Sequence, residues 1–282
     1  MTKQDLLDQR LRELGSVLVA YSGGVDSTYL ALRAHQLLGA RSLAVTAVSE
    51  SLAAAQRRAA REVALAFGFA HRELETAEVQ NPLYARNAGD RCFHCKSELF
   101  AALLPLAAAE GLAHVAYGLI ADDLSDHRPG HRAAAAAGVR SPLAEAAMSK
   151  ADVRSASHAL GLPTWDQPAS PCLSSRVAYG VRVTPRVLSQ VERAEKGLHE
   201  LGLRELRVRH LGEGRARVEL GAREQSRLLQ ESLQEQVKER VRDAGYAEVS
   251  IDPAGYRPGR LNEALGADGN SGSGVSSGIG TQ

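Results

Sequence analysis

Three stretches of the chain hold residues that could do chemistry. The first is Ser22-Gly23-Gly24-Val25-Asp26-Ser27. Gly23 and Gly24 can take positive φ and let an anion approach the backbone. Ser22 and Ser27 offer hydroxyl donors. At a helix start, free N–H groups and the helix dipole converge on negative charge. Asp26 could hold a magnesium ion that bridges phosphate oxygens. The plainer alternative is a Gly-Gly turn with a Ser/Asp helix cap. The loop lacks the Lys of a Walker A motif and the spacing G-x-G-x-x-G. The second stretch is Asp122 to Gly130, where three aspartates could bind magnesium and Arg128 could meet a phosphate. A solvated loop is the alternative there.

The third group is the cysteines. Cys92 and Cys95 form a C-x-x-C, and Cys172 stands alone. Such a pair can be redox, zinc or iron–sulfur. Four-thiolate zinc lacks a fourth cysteine, and His94 could serve only by a strained path. Three thiolates around a [4Fe–4S] cluster with one open iron match the count better. Plain burial is opposed by Arg91, His94 and Lys96 alongside. Cys172 has Arg176 four residues on, and nearby cations raise the thiolate fraction. A thiolate there could attack an activated acyl group, against the alternative of a free structural cysteine.

Secondary structure must position these groups. Val17 to Tyr21 reads as a buried parallel strand, followed by a helix over Ser27 to Leu38. Arg41 to Val48 and His71 to Leu74 read as strands, with a helix from Leu52 to Phe67 capped by Ser51. Ser49, past the second strand, is a candidate neighbour of the adenine or ribose of a nucleotide, and equally fits a part in capping the next helix. The order β-α-β-α-β implies a doubly wound parallel sheet with ligands at its carboxyl edge. Asn81 to Arg91 reads as a loop that delivers Cys92 to Cys95, themselves read as loop residues, with Lys96 to Ala109 as helix and Ala113 to Gly118 as strand. Ser149 and Asp152 begin a helix with a capping box. Thr184-Pro185 opens another, Leu206 to His210 and Ala216 to Leu220 alternate as strands, and a helix and a last strand follow. The expected domains are an α/β nucleotide domain over 1–163, a smaller α+β domain over 164–266 and a disordered Gly/Ser tail over 267–282.

The chain has 282 residues, of which 44% are hydrophobic and 24% charged, with a net charge of +1. That is globular composition without the field that nucleic acid binding uses. No run of 18 apolar residues suggests a membrane span. The polar start, Met1 to Arg10, does not read as a signal peptide, which makes cytoplasm the expected location. Three cysteines argue against a disulfide framework.

The Ser22–Ser27 loop resembles the SGG-x-DS loop of the pyrophosphate-loop superfamily, whose members cleave ATP between the α and β phosphates. With it come Arg91-Cys92-Phe93-His94-Cys95-Lys96, Asp122-Asp123 to Gly130, Trp165 to Arg176 and Gly255 to Gly259. In that order they resemble the ATP-dependent sulfur transferases (LarE type) of nickel-pincer nucleotide biosynthesis. The resemblance spans nearly the whole chain except the tail, and Pro171-Cys172-Leu173-Ser174-Ser175-Arg176 is its most specific part.

The resemblance implies two steps. ATP with Mg2+ adenylates a carboxylate of a pyridinium dicarboxylate mononucleotide and releases pyrophosphate, with Asp26 in the reacting site. Sulfur then reaches the carbonyl from Cys172. By matched position, Ser175, Arg176, Arg207, Arg209 and Arg257 would hold the substrate's phosphate, for which guanidinium forks are suited. Arg207 and Arg209 equally fit the solvent face of a strand. One family type sacrifices its cysteine sulfur. The type with three cysteines holds a [4Fe–4S] cluster, which Cys92, Cys95 and Cys172 would ligate here. A homo-oligomer is implied, with the sulfide source open. One departure stands out: Ile120 occupies a position where an Asn is expected, which removes any nucleotide contact from it. Thiolation of tRNA, nucleotide sensing without turnover and an ammonia-using ligase are the competing readings.

Overall fold

Strand β1 (Val17–Ala20) is apolar because both of its faces are covered. In the computed structural model of the chain, residues 1–125, 129–168, 170–229 and 231–257 are described. There β1 joins three parallel strands, β2 (Ser42–Val48), β3 (His71–Glu75) and β4 (His114–Tyr117), in the order β3-β2-β1-β4. Val17 pairs with Ser42 on one side and His114 on the other. Alternate side chains face opposite ways. Val17, Val19, Ala44 and Ala116 therefore enter one core, while Leu18, Val45 and Val115 enter another.

Helices close both faces. The first core is filled by α1 (Lys3–Leu14), α2 (Val25–Leu38), α3 (Ala54–Phe67), α7 (Pro142–Glu145) and α8 (Lys150–Ala159). Between them in the chain lie α4 (Pro82–Ala85), α5 (Arg91–Ala109) and α6 (Pro129–Ala136). Phe100, Leu103 and Ala107 of α5, with Ala133 and Ala134 of α6, fill the second core. Each fully buried Leu or Phe of this kind contributes about 1.5–3 kcal/mol. By length and composition alone α5 could cross a membrane. Capping boxes open α1 at Thr2 and Asp5, and α8 at Ser149 and Asp152 as expected.

The chain divides into two units: Met1–Ser174 with Arg182–Ser189, and Ser175–Val181 with the residues from Gln190 on. The expected boundary lay after Pro163. Instead, 164–174 stay with the first unit, where the Leu173 N–H donates to the Ser51 carbonyl at 2.8 Å. The second unit contains most of α9 (Pro185–Glu200), and β5 (Leu206–Gly212), β6 (Arg215–Leu220), α10 (Ala222–Gln225), α11 (Glu231–Asp243) and β7 (Glu248–Ile251). β5 and β6 are antiparallel, and β7 is parallel to β6. Leu206, Val208 and Val218 pack with Ala194, Leu198, Val237 and Val241 of the helices. The fold is thus a doubly wound parallel α/β unit followed by a smaller α+β unit. The expected tail over 267–282 lies outside the described residues.

Candidate active site

In the order β3-β2-β1-β4 the chain adds β2 and β3 on one side of β1 and β4 on the other, and a crevice opens at such a switch point. The Ser22–Ser27 turn sits there. Gly23 has φ 76°, which favours glycine, and an added Cβ would stand 3.0 Å from that of Ala60. Gly24 does not take positive φ as expected. It is the N-cap of α2 at φ −80°, and no side chain caps that helix. The Ser22 N–H donates to Ser27 Oγ at 3.1 Å, and Ser27 Oγ donates to the Gly24 carbonyl at 3.1 Å. Ser22, Gly24, Asp26, Ser27, Lys96 and Gly118 bound a cleft of about 140 Å³.

Asp26 has two unlike oxygens. Lys150 Nζ donates to Oδ2 at 2.6 Å, while Oδ1 is buried without a hydrogen-bond partner. An orphaned carboxylate oxygen beside hydroxyls and an uncapped helix suits a divalent cation carried with phosphate. Gly118 is packed so closely that a Cβ would lie 2.8 Å from the Ser27 nitrogen. Lys96, Lys150 and Gly118 were not singled out from the sequence for this site. Lys150 follows a visible capping serine, but nothing local links it to Asp26.

Other expectations here are corrected. Ser49 does not line the cleft: its hydroxyl bonds Ser51, at 3.0 Å, and the Glu78 carboxylate. Ser51 does not cap α3, whose N-cap is Ala53; its hydroxyl donates to Glu78 at 2.7 Å. Asp122 accepts the Lys150 N–H at 2.9 Å, a helix-start role. Ile120 is buried in the core, so the site lacks a polar side chain at that position. Arg128 lies outside the described residues.

Cys92 and Cys95 are not loop residues. Helix α5 begins at Arg91 and carries them at i and i+3, on one face. Cys92 is exposed, and Cys95 and Cys172 are half-buried. Burial first, and then a charge on Cys172, push the Cys95 thiol up to about 12. The same two causes, in that order, hold the Tyr84 phenol well above its usual range. Cys172 is therefore within electrostatic reach of both. Among the described residues no three His, Cys, Asp or Glu side chains are placed to hold a metal ion. Cysteine thiolates are the usual ligands of iron–sulfur clusters, so Cys92, Cys95 and Cys172 would be the residues to hold one.

In the second unit Arg207 and Arg209 share a face of β5, but that face is buried rather than solvated. Arg209 Nε donates to Glu219 at 2.8 Å and Nη1 to the Ser175 carbonyl at 2.8 Å. Arg176 makes a two-point bond to Glu195, 3.0 Å at each nitrogen, and Nη1 donates to Ser175 Oγ at 3.1 Å. The Arg207 guanidinium lies 4.6 Å from the Tyr256 ring centroid. Burial, then the Arg176 charge, lower its pKa. Ser175, Arg176, Arg207 and Arg209 thus come together, and the Arg257 side chain is exposed beside Tyr256 in the chain. Glu195 and Glu219 are partners of these arginines that the sequence did not single out.

A parallel sheet whose first strand runs through a Ser-Gly-Gly turn into an uncapped helix defines the pyrophosphate-loop class. No family model matches the chain. It is 34% identical over 265 residues to the pyridinium-3,5-bisthiocarboxylic acid mononucleotide synthase of Lactiplantibacillus plantarum, covering 94% of this chain and 95% of that protein. It is 44% identical to an uncharacterized protein of Synechocystis, over 94% and 98% of the two chains. An uncharacterized protein of Methanocaldococcus jannaschii is 25% identical, over 86% and 90%. The chain belongs to the LarE-type sulfur transferases of nickel-pincer nucleotide biosynthesis.

Proposed function

We propose that this protein adenylates the carboxylates of a pyridinium dicarboxylate mononucleotide with ATP and replaces a carboxylate oxygen by sulfur. The observation that carries the reading is the cleft where Asp26, with its orphaned oxygen, faces Ser22, Ser27 and Lys96. Supporting it are the named relative, a bisthiocarboxylic acid mononucleotide synthase, and the buried arginine cluster of the second unit.

In the first step a substrate carboxylate oxygen attacks the α-phosphorus of ATP and pyrophosphate leaves. Ser22, Ser27 and the uncapped start of α2 bind the departing phosphates; Asp26 would hold a Mg2+ ion, which would supply neutralisation of their charge. Lys96 and Lys150 balance the charge that develops there. In the second step sulfur attacks the acyl carbon and AMP leaves. If Cys172 is the donor, its Sγ first forms a thioester. Loss of the Cys172 Cα proton then breaks the Cβ–Sγ bond, leaving a thiocarboxylate and dehydroalanine. That route delivers one sulfur per chain, so the second carboxylate needs another chain. A [4Fe–4S] cluster on Cys92, Cys95 and Cys172 would supply sulfur repeatedly and spare the side chain. Cys92 and Cys95 on one face of α5, and the hydrogen bond from Arg91 to the Cys172 segment at Ser174, support the cluster reading. Ser175, Arg176, Arg207, Arg209 and Arg257 bind the substrate phosphate. Use of ATP fits a cytoplasmic site, and a homo-oligomer is the proposed assembly, which sedimentation checks.

The test is pyrophosphate release from ATP and Mg2+ that depends on the mononucleotide, with mass spectrometry of the product. Iron and sulfide counts on anaerobically purified protein separate the two sulfur routes. Intact Cys172 after turnover supports the cluster, and dehydroalanine at 172 supports sacrifice.

A further inference from the structure

The segment bearing Cys172 is tied to the start of α5 by bonds that neither the loop motif nor the arginine cluster explains. Arg91 is 4% exposed, and its Nη1 donates to the Ser174 carbonyl at 2.7 Å and to Asn87 Oδ1. Tyr84, 1% exposed, shares a 2.5 Å hydrogen bond with Ser174 Oγ. Ser174 is fully buried, and the neighbouring Leu173 N–H is held by the Ser51 carbonyl. Asn87 is fully buried too, at φ 56°, a conformation that non-glycine residues rarely adopt. A guanidinium and a phenol taken out of water are costly to fold unless fully bonded. Apolar residues would fill this volume with less risk.

The placement of the bonds suggests what the network does. Arg91 directly precedes Cys92, and Ser174 lies two residues after Cys172. The bond therefore joins the two cysteine-bearing segments across 83 residues of chain. We propose that Arg91 and Tyr84 are positioning residues that clamp the Cys172 segment against the helix turn carrying Cys92 and Cys95. Arg91 grips the backbone of the segment at Ser174, and Tyr84 grips the same residue by its side chain. The clamp sets which way the Cys172 thiol is presented without touching substrate. Its purpose rests on the sulfur-transfer reading; its geometry does not.

The experiment uses the full chain without substrate, purified without iron and fully reduced. Diamide takes two electrons and two protons from a close thiol pair, and peptide mass spectrometry then maps the disulfide formed. Wild type is expected to link Cys172 to Cys95 or Cys92. Arg91→Met should slow that linkage roughly tenfold, as effective concentration is lost with the tether. Arg91→Lys should restore only part of it, because an ammonium keeps the charge but lacks the reach and fork of the guanidinium. Affinity for a non-hydrolysable ATP analogue should stay at the wild-type value, which separates loss of position from loss of fold. Wild-type linkage rates in a folded Arg91→Met, or no Cys172 linkage in wild type, overturn the clamp. If Arg91→Met does not fold, Tyr84→Phe decides: slower linkage supports the clamp and an unchanged rate overturns it. A wild type that links its cysteines yet transfers no sulfur sinks the functional reading alone.

Discussion

Lys150 Nζ stands 2.6 Å from Oδ2 of Asp26, while the other oxygen of that carboxylate has no partner. The lysine thus takes one oxygen of a carboxylate whose other oxygen is buried and unbonded, in a residue that lines the cleft. Asp26→Ala should cut pyrophosphate release by at least about a hundredfold, the scale seen when a preorganised electrostatic group is removed. The melting temperature should be unchanged. Release at the wild-type rate by a folded variant would remove Asp26 from the chemistry.

Gly118 offers a steric test of the same cleft. A Cβ there would meet the Ser27 nitrogen at 2.8 Å. Gly118→Ala should push the pyrophosphate loop away, weaken ATP binding and cost about 1–3 kcal/mol of stability. Calorimetric titration with ATP and a denaturant melt read the two effects. Unaltered affinity would mean that the loop yields without consequence.

The arginines of β5 should behave unlike one another. Arg207 stacks on Tyr256, so Arg207→Ala should raise the KM for the mononucleotide by about 1.5–3 kcal/mol equivalent, with little change for ATP. Arg209→Ala leaves Glu219, fully buried, without its closest cation and should destabilise the protein by about 3–5 kcal/mol. Steady-state kinetics and denaturant melts distinguish them. Equal stability loss in both variants would contradict this division.

Acid should expose one stabilising contact. Arg57 first, and then Arg61, hold the Glu73 carboxyl near about 2, against 4.5 for a free group. A depressed folded pKa means that the contribution is present above pH 4.5 and is lost as pH falls towards 2. Melts of wild type and Glu73→Gln should differ most at pH 6 and converge near pH 2. A constant difference across that range would show that ionisation of Glu73 is not responsible.

What was legible in the sequence depended on how local its cause was. The Ser22–Ser27 turn could be read because an apolar strand, two glycines and a helix start are contiguous. The start of α5 was not, because its first turn needs no apolar face and the helical pattern begins only further along. That error placed Cys92 and Cys95 on a loop when they share one helix face. Arg207 and Arg209 alternate with apolar residues as a surface strand would. Their burial depends on Glu195, Glu219 and Tyr256, which come from other elements. Lys150 reaches Asp26 across 124 residues of chain, a distance over which sequence spacing carries no signal.

The buried ion pairs of the second unit also restrict how the chain can change over time. Glu195 takes both Arg176 and the Val208 N–H, and Glu219 takes both Arg209 and, at 3.3 Å, Arg217. Replacing one member alone strands a charge in the interior at about 3–5 kcal/mol, whereas exchanging both for apolar groups can be neutral. Single-step substitution at these positions is therefore closed, and a lineage that abandons the pairs must do so in coordinated replacements. Among descendants of a common ancestor, 176 with 195 and 209 with 219 should vary as couples or stay fixed.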